Sequence, residues 1–253
     1  MKVAAYQAPL LRSGSLEAVD LIRTQVAWCE SHGVIILCCP EAILGGLADY
    51  AADPREFAID TRGDHLVRTL APLASDTVTT IVGFTEVTDA GRLYNGAAVV
   101  HKGSVVGLYR KLHPAIHRSV YAAGDRMPVF QIGRLIFGIL ICNDSNYPEP
   151  ARAMASQGAT ALFIPTNNGL PPEKADVAAH ARSVDIALAI ENNVCVVRAD
   201  VAGRADGIVS YGSSGIVDSY GRVLQSAQEL TEGLIVADLD GSRTASMAMR
   251  SAD

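Results

Sequence analysis

Short apolar runs dominate the sequence, and they limit the possible folds more than any other feature. Several runs are continuous rather than alternating, which is typical of strands covered on both faces or of sheets stacked on one another. Helical stretches lie between the runs, so an α/β fold is expected. The predicted strands are Val3–Gln7, Val34–Cys39, Thr79–Thr85, Asn95–His101, Ser104–Tyr109, Leu135–Ile141, Ala161–Ile164, Val194–Ala199, Gly215–Asp218 and Leu234–Asp238.

Three segments between these runs have the character of helices. Ser15–His32 carries apolar residues at helical spacing and is followed by Gly33, a common helix stop. Residues 150–157 are rich in alanine, and the apolar residues of Glu173–Ile190 fall on one stripe. The order of elements therefore mixes α/β units with other strand connections.

Those other connections are hairpins. Lys-Gly at 102–103 and Ser-Tyr-Gly at 219–221 each separate two strand-like runs. No linker, repeat or low-complexity segment divides the chain, so a single domain over residues 1–253 is predicted. Arg182 and Glu191, which are nine residues apart on or just after one predicted helix, are expected to form an ion pair.

Composition argues against several classes of partner. The net charge is −6 with no basic patch, so neither nucleic acid nor an anionic membrane surface is an expected partner. No apolar run approaches the roughly 20 residues that span a bilayer. The N-terminus reads as a first strand rather than a signal peptide, so a cytoplasmic location is expected.

The cysteines and histidines do not suggest a metal site. The five cysteines are an odd number, and adjacent Cys38 and Cys39 would point to opposite faces of a strand. His113 and His117 are four residues apart, but Pro114 lies between them and no carboxylate flanks them. We therefore expect free thiols, as in a reducing compartment, and no bound metal.

Three chemically complementary residues stand at the ends of predicted strands. Glu41 follows "VIILCCP", Lys111 follows "SVVGLYR", and Cys142 follows "LIFGILI". In α/β folds, ligands bind beside the carboxyl ends of strands. Each residue also has an ordinary interpretation: a solvated loop glutamate, a surface lysine and a buried core cysteine. Only their combination favours a site.

The combination suits the cleavage of an amide. A thiolate can attack the carbonyl carbon, a carboxylate can take and return the proton, and an ammonium can stabilise the oxyanion, with the backbone N–H of Asn143 as a second donor. Pro148 and Glu149 look like the first turn of a helix. Its N-terminus, together with Lys111, is expected to lower the pKa of the Cys142 thiol.

The contexts of these residues resemble the nitrilase, or carbon–nitrogen hydrolase, superfamily. The similarity covers nearly the whole chain, in order, and its segments are "KVAAYQAP", "CPEAILGG", "GLYRKLHP", "GILICNDSNYPEPAR", "ALFIPTNN", "HARSVDIALAIENNVCVVRADVAG" and "YGSSGIVDSYGRVL". The resemblance implies an α/β fold that is a four-layer α-β-β-α sandwich of two mixed sheets flanked by helices. It also implies a homodimer or higher homo-oligomer and no cofactor.

By position, the resemblance implies that Glu41 is the base, Lys111 the oxyanion stabiliser and Cys142 the nucleophile of a thioester mechanism. Many members carry a second glutamate seven residues before a turn glycine, and counting back from Gly124 gives His117. Either His117 has that role, or Arg118 or another group does, or the histidine has no role at all.

A second departure follows the cysteine, where nitrile hydrolysers typically have Trp-Glu and this chain has Asn143-Asp144. That pair is similar to amidases and N-carbamoyl amino acid hydrolases, and Lys111 with His113 also resembles the latter. Those carbamoylases hold the substrate carboxylate with two arginines, but here Ser145 and Asn146 stand at those positions. A free α-carboxylate at this spot is therefore disfavoured.

These observations predict a cytosolic thiol amidohydrolase that cleaves a small linear amide or N-carbamoyl compound. Asn167, at the end of another strand, is a further candidate for substrate contact or a plain loop residue. Alternatives of the same fold are a nitrilase or an acyltransferase that passes the thioester to an amine. A binding or scaffold relative without turnover is the alternative that is not an enzyme.

Overall fold

The computed structural model describes residues 1–12, 15, 17–115, 118–172, 177–205 and 207–239, whose strands form two mixed sheets. The first sheet contains β1 (Lys2–Pro9), β2 (Ile36–Cys38), β3 (Ile59–Asp60), β4 (Thr79–Val87), β5 (Leu93–His101), β6 (Ser104–Arg110), β11 (Val201–Ala205), β12 (Ile208–Ser210) and β15 (Gly233–Asp238). The second contains β7 (Val129–Ile132), β8 (Leu135–Ile139), β9 (Ala161–Pro165), β10 (Cys195–Ala199), β13 (Gly215–Val217) and β14 (Val223–Ser226). The α-helices of the described segments are α1 (Glu17–Ser31), α2 (His65–Leu70), α3 (Pro148–Ser156) and α4 (Val177–Asn192).

Parallel strands lie at the centre of both sheets. In the first sheet β1, β2 and β4 run parallel, and β5 and β6 continue from β4 as antiparallel hairpins. In the second sheet β8, β9 and β10 run parallel, with antiparallel β7 at one edge and β13 and β14 at the other. The carboxyl ends of these parallel strands are the places where a ligand site is expected.

The two sheets pack face to face, and helices cover their outer faces. On β1, Val3 and Ala5 belong to the core between the sheets, together with Phe137 and Phe163 of the second sheet. The alternate residues Ala4 and Tyr6 pack in a separate core that also contains buried residues of α1 and α2. Buried residues of α3 and α4 pack with the second sheet. The layers are therefore α-β-β-α, as predicted, which explains why so many strands are apolar on both faces.

All ten predicted strands are present, with ends that differ by a few residues. The predicted helices are found as α1, α3 and α4, although residues 173–176 of the third prediction lie outside the described residues. Helix α2 was not predicted. The Lys-Gly turn connects β5 to β6 with positive φ at both Lys102 and Gly103, the geometry that a tight two-residue hairpin requires.

None of the described helices combines the length and the apolar character needed to cross a membrane.

Candidate active site

The three strand-end residues meet at one cavity of about 420 Å³. Glu41 follows β2 and Lys111 follows β6 in the first sheet, whereas Cys142 follows β8 in the second. The cavity therefore lies where the ends of the two sheets come together. The structure brings together a carboxylate, an ammonium and a thiol that are far apart in the sequence.

Glu41 and Lys111 form a buried ion pair on the cavity wall. Lys111 Nζ lies 2.5 Å from Glu41 Oε1, and the two side chains are only 6% and 2% exposed. Asn95 Nδ2 donates to the same oxygen at 2.7 Å, and the backbone N–H of Asn167 donates to Oε2 at 3.0 Å. Burial alone would lower the pKa of the Lys111 ammonium, but the Glu41 carboxylate raises it above its ordinary value. Lys111 is therefore a permanent cation.

The backbone that carries Glu41 is held tightly against β4. Pro40 follows β2, and Ala42 has a φ of +45°, so the chain turns sharply at Glu41. A Cβ atom added to Gly83 of β4 would lie 2.3 Å from the Pro40 carbonyl oxygen and 2.5 Å from the Ala42 nitrogen. Only glycine allows this approach, because both contacts are with backbone that cannot move aside.

Cys142 begins a 3₁₀ turn over Cys142–Asn146 and is partly exposed. Its φ of +46° is rare for a residue with a side chain and costs of order 1–3 kcal/mol. Two hydrogen bonds hold the turn: Ser145 Oγ donates to the Cys142 carbonyl at 2.7 Å, and the Asp144 N–H donates to the Ile141 carbonyl at 3.0 Å. The apolar run thus ends in a strained turn that presents the thiol to the cavity.

The expectation of a low pKa for this thiol is wrong. Burial, and after it the Glu41 carboxylate, raise the pKa of the Cys142 thiol to about 12, while Lys111 and Arg198 act in the opposite direction. The prediction relied on the helix N-terminus and on Lys111, and it gave no weight to burial. At neutral pH the resting cysteine is therefore a thiol, and its attack on a substrate needs a base.

Asp144 connects the cysteine turn to the segment that follows Lys111. Its buried carboxylate accepts the backbone N–H groups of Leu112 at 3.1 Å and His113 at 2.7 Å through one oxygen. The other oxygen accepts the Ile141 N–H at 3.0 Å and the Tyr109 hydroxyl at 2.8 Å. Four donors from two distant segments are thus fixed by one side chain. In the sequence, Asp144 stands out only in the comparison with nitrile hydrolysers, and nothing there indicates these hydrogen bonds.

The other predicted site residues divide into three groups. Asn143, Ser145, Asn146 and Asn167 all line the cavity. His113 is not among the described residues that line it, because its ring stacks on Tyr147 with the ring centroids 3.7 Å apart. Its contribution is a backbone carbonyl that accepts Asn143 Nδ2 at 3.1 Å. His117 lies outside the described residues.

Several cavity residues were not predicted, and the most unexpected is Arg198, the fourth of the five residues of β10. Arg198 is buried and paired with Asp185 of α4, with 2.6 Å between Nη2 and Oδ1. The predicted ion pair of Arg182 with Glu191 is wrong, because Arg182 Nη1 lies 3.5 Å from Asp185 instead. A charged residue inside the continuous apolar run "VCVVRA" was the available signal. The other residues that line the cavity include Asp49, Tyr50, Asn95, Tyr121 and His180.

Within the described part of the chain, no group of three or more histidine, cysteine, aspartate or glutamate side chains is arranged to hold a metal ion.

Comparison with known proteins shows the family. The sequence model of the family described as "Carbon-nitrogen hydrolase" matches residues 2–249. An (R)-stereoselective amidase from a Pseudomonas species is 31% identical over 234 residues, which cover 90% of this chain and 82% of the amidase. An N-carbamoylputrescine amidase from Solanum tuberosum is 35% identical over 164 residues, covering 58% of this chain and 55% of that protein.

Solved structures show the same fold at low sequence identity. The crystal structure of a carbon–nitrogen hydrolase from Helicobacter pylori G27 superposes with a TM-score of 0.85 and 22% identity, covering 99% of this chain and 92% of the other. The fold, the family match and the named relatives agree with one another. The chain therefore belongs to the carbon–nitrogen hydrolase family, enzymes that act on carbon–nitrogen bonds other than peptide bonds.

Proposed function

We propose that this protein is a cofactor-free thiol amidohydrolase that cleaves a small linear amide or N-carbamoyl compound through a thioester on Cys142. The observation that carries the proposal is the placement of Glu41, Lys111 and Cys142 on the wall of one cavity. The named amidases among its relatives support the same reaction class. Assembly into homo-oligomers, a cytoplasmic location and a single domain over residues 1–253 remain predictions.

In the acylation step the Cys142 sulfur attacks the substrate carbonyl carbon and a carbon–sulfur bond forms. A pKa of about 12 leaves only about one thiolate in 10⁵ at pH 7, so Glu41 must take the thiol proton during attack. The negative charge that develops on the carbonyl oxygen is stabilised by Lys111 and by the backbone N–H of Asn143. Glu41 then gives its proton to the leaving nitrogen as the carbon–nitrogen bond breaks.

Hydrolysis of the thioester repeats the same proton transfers with water. Glu41 takes a proton from water, the resulting hydroxide attacks the thioester carbon, and the carbon–sulfur bond breaks. The thiolate recovers its proton from Glu41, which restores the resting thiol and carboxylate. Glu41 can serve both steps because Lys111, Asn95 and the Asn167 N–H hold it in one orientation.

The charges that line the cavity favour a neutral or cationic substrate. Glu41 is paired with Lys111, and Arg198 is neutralised by Asp185. Asp49 has no cationic partner among the described residues; it accepts hydrogen bonds from Ser119 Oγ and the Val120 N–H. Among the described lining residues, Asp49 is therefore the uncompensated negative charge, which would repel a substrate carboxylate and attract an ammonium. A carbamoylated diamine, the kind of substrate named for one set of relatives, has that charge.

The proposal is tested by measuring ammonia release from a panel of amides and carbamoyl compounds with Cys142→Ala. The variant is expected to lose turnover by at least about 10³-fold, since the covalent step disappears. Cys29→Ala is the matched control, because Cys29 is a buried thiol on α1 away from the cavity. Turnover retained in Cys142→Ala would refute the mechanism.

The preference for a cationic substrate is tested with three primary amides of equal length. They end in an ammonium, a methyl and a carboxylate group, respectively. Asp49→Asn is expected to lower kcat/KM for the cationic amide about fivefold, or ~1 kcal/mol, since the charge pair is part-exposed. The neutral amide serves as the control and should change by less than about twofold. Equal losses for all three amides would show that Asp49 only supports the loop.

A further inference from the structure

A buried arginine lies at the floor of the cavity, and the proposed reaction does not use it. Arg198 is 2% exposed and stands in a strand whose other residues are buried and mostly apolar. Asp185 of α4 neutralises it, accepting Nε at 3.0 Å and Nη2 at 2.6 Å through the same oxygen. An isolated charge at this depth would be strongly unfavourable, so the pair anchors α4 to β10 and fixes the guanidinium in place.

One side chain, that of Ser145, connects the Arg198 guanidinium to Cys142 by hydrogen bonds. Arg198 Nη2 donates to Ser145 Oγ at 3.1 Å, and Ser145 Oγ in turn donates to the Cys142 carbonyl at 2.7 Å. Arg198 Nη1 donates to Thr166 Oγ1 at 2.8 Å, so the second terminal nitrogen of the guanidinium is also held in place. A serine hydroxyl can donate only one proton. The Arg198 donor therefore leaves Ser145 to direct that proton at the Cys142 carbonyl.

These hydrogen bonds end at Cys142, the residue of the turn whose backbone is strained. The positive φ of Cys142 persists only if its surroundings hold it, and the Ser145 hydrogen bond is one of the contacts that do so. The guanidinium stays charged at every accessible pH, and it is paired with the carboxylate of Asp185 just as Lys111 is paired with that of Glu41. Arg198 and Cys142 line the same cavity, so a negative charge that forms on sulfur, during attack or on release of the thioester, is attracted by the guanidinium as well as by Lys111.

We propose that Arg198, anchored by Asp185, is a positioning residue of this site that holds Cys142 through Ser145 and adds the positive charge of its guanidinium to the cavity that Cys142 lines. The inference rests on the proposed function for its catalytic meaning, but it concerns a property of the thiol that can be measured without any substrate. In agreement with the geometry, Arg198 acts to lower the pKa of the Cys142 thiol against the larger effect of burial.

The test is the rate at which iodoacetamide alkylates Cys142, followed by intact-protein mass spectrometry across a pH series. The variant is Arg198→Gln with Asp185→Asn, which removes both charges of the pair so that neither is left buried alone. The alkylation rate is expected to fall about tenfold at each pH, the effect of roughly one pKa unit. Arg198→Lys, which keeps the charge, should restore most of the rate.

Arg182→Gln is the matched control, because Arg182 also faces Asp185 but does not line the cavity and donates to Ser214 and Ser226 instead. Its alkylation rate should stay within about twofold of the wild type. An unchanged rate in the double variant would overturn the proposal. A faster rate would do so as well, because it would mean that the pair only shields the thiol from the reagent.

Ser145→Ala keeps the proposal testable even where the double variant does not fold. It removes the connecting hydroxyl and no charge, so kcat should fall about tenfold with KM little changed. An unchanged kcat would contradict the positioning role. Failure of the proposed function looks different: Cys142→Ala would keep its ammonia release, while the alkylation rate of Cys142 would still respond to the change at Arg198.

Discussion

Replacing Lys111 by Met removes the cation from a buried ion pair and leaves the Glu41 carboxylate behind. Both side chains are almost fully buried, and Lys111 Nζ is 2.5 Å from the carboxylate. Loss of one partner of a buried pair typically costs about 3–5 kcal/mol in the free energy of unfolding. We expect the lower end of this range, because Asn95 and the Asn167 N–H still donate to Glu41. For a chain of this length, a loss of about 3 kcal/mol lowers Tm by roughly 6–12 °C.

The assay is urea unfolding of Lys111→Met, Glu41→Gln and the double variant, treated as a double-mutant cycle. Each single variant should be destabilised, and the double variant should be less destabilised than the sum, with a coupling energy of about 1–3 kcal/mol. The double variant should be stable yet inactive in ammonia release. Additive losses would refute the reasoning, because they would mean that the two groups do not depend on each other.

Three further predictions concern the surroundings of the nucleophile. Asp144→Asn should lower kcat at least tenfold and destabilise the protein by about 2–4 kcal/mol in urea unfolding, because one amide oxygen cannot accept four donors. Gly83→Ala should cost about 2–4 kcal/mol in the same assay and reduce turnover by displacing the turn that carries Glu41; normal activity would contradict the close backbone approach. The logarithm of the Cys142 alkylation rate should rise with unit slope from about pH 6 to 11, because deprotonation continues up to a pKa of about 12; a plateau near pH 8 would contradict it.

The fold could be predicted well from the sequence because its main strands are long, continuous apolar runs with clear ends. Strands β3 and β12, of two and three residues, carry too little pattern to be recognised. Helix α2 has six residues, less than two turns, so it shows no repeated apolar stripe. These elements form because of packing contacts made by the rest of the chain, which a local pattern does not contain.

The candidate site was less predictable than the fold. Strand ends pointed to Glu41, Lys111 and Cys142, and the structure places all three on one cavity. The hydrogen bonds of Asp144 and the pairing of Arg198 with Asp185 join residues that are not neighbours in the sequence, so no local spacing revealed them. The prediction of a low pKa for the Cys142 thiol was wrong for a related reason. Its sign depends on how deeply the folded chain buries the sulfur, and the sequence does not give that depth.

The most direct test of the central claim is intact-protein mass spectrometry after rapid acid quenching of the enzyme during turnover of an amide substrate. The proposed mechanism predicts a population whose mass is increased by the acyl group, with the adduct on the peptide that contains Cys142. The adduct should be absent from Cys142→Ala and should disappear once the substrate is consumed. Steady turnover with no adduct at any quench time, or an adduct on another residue, would contradict covalent catalysis by Cys142.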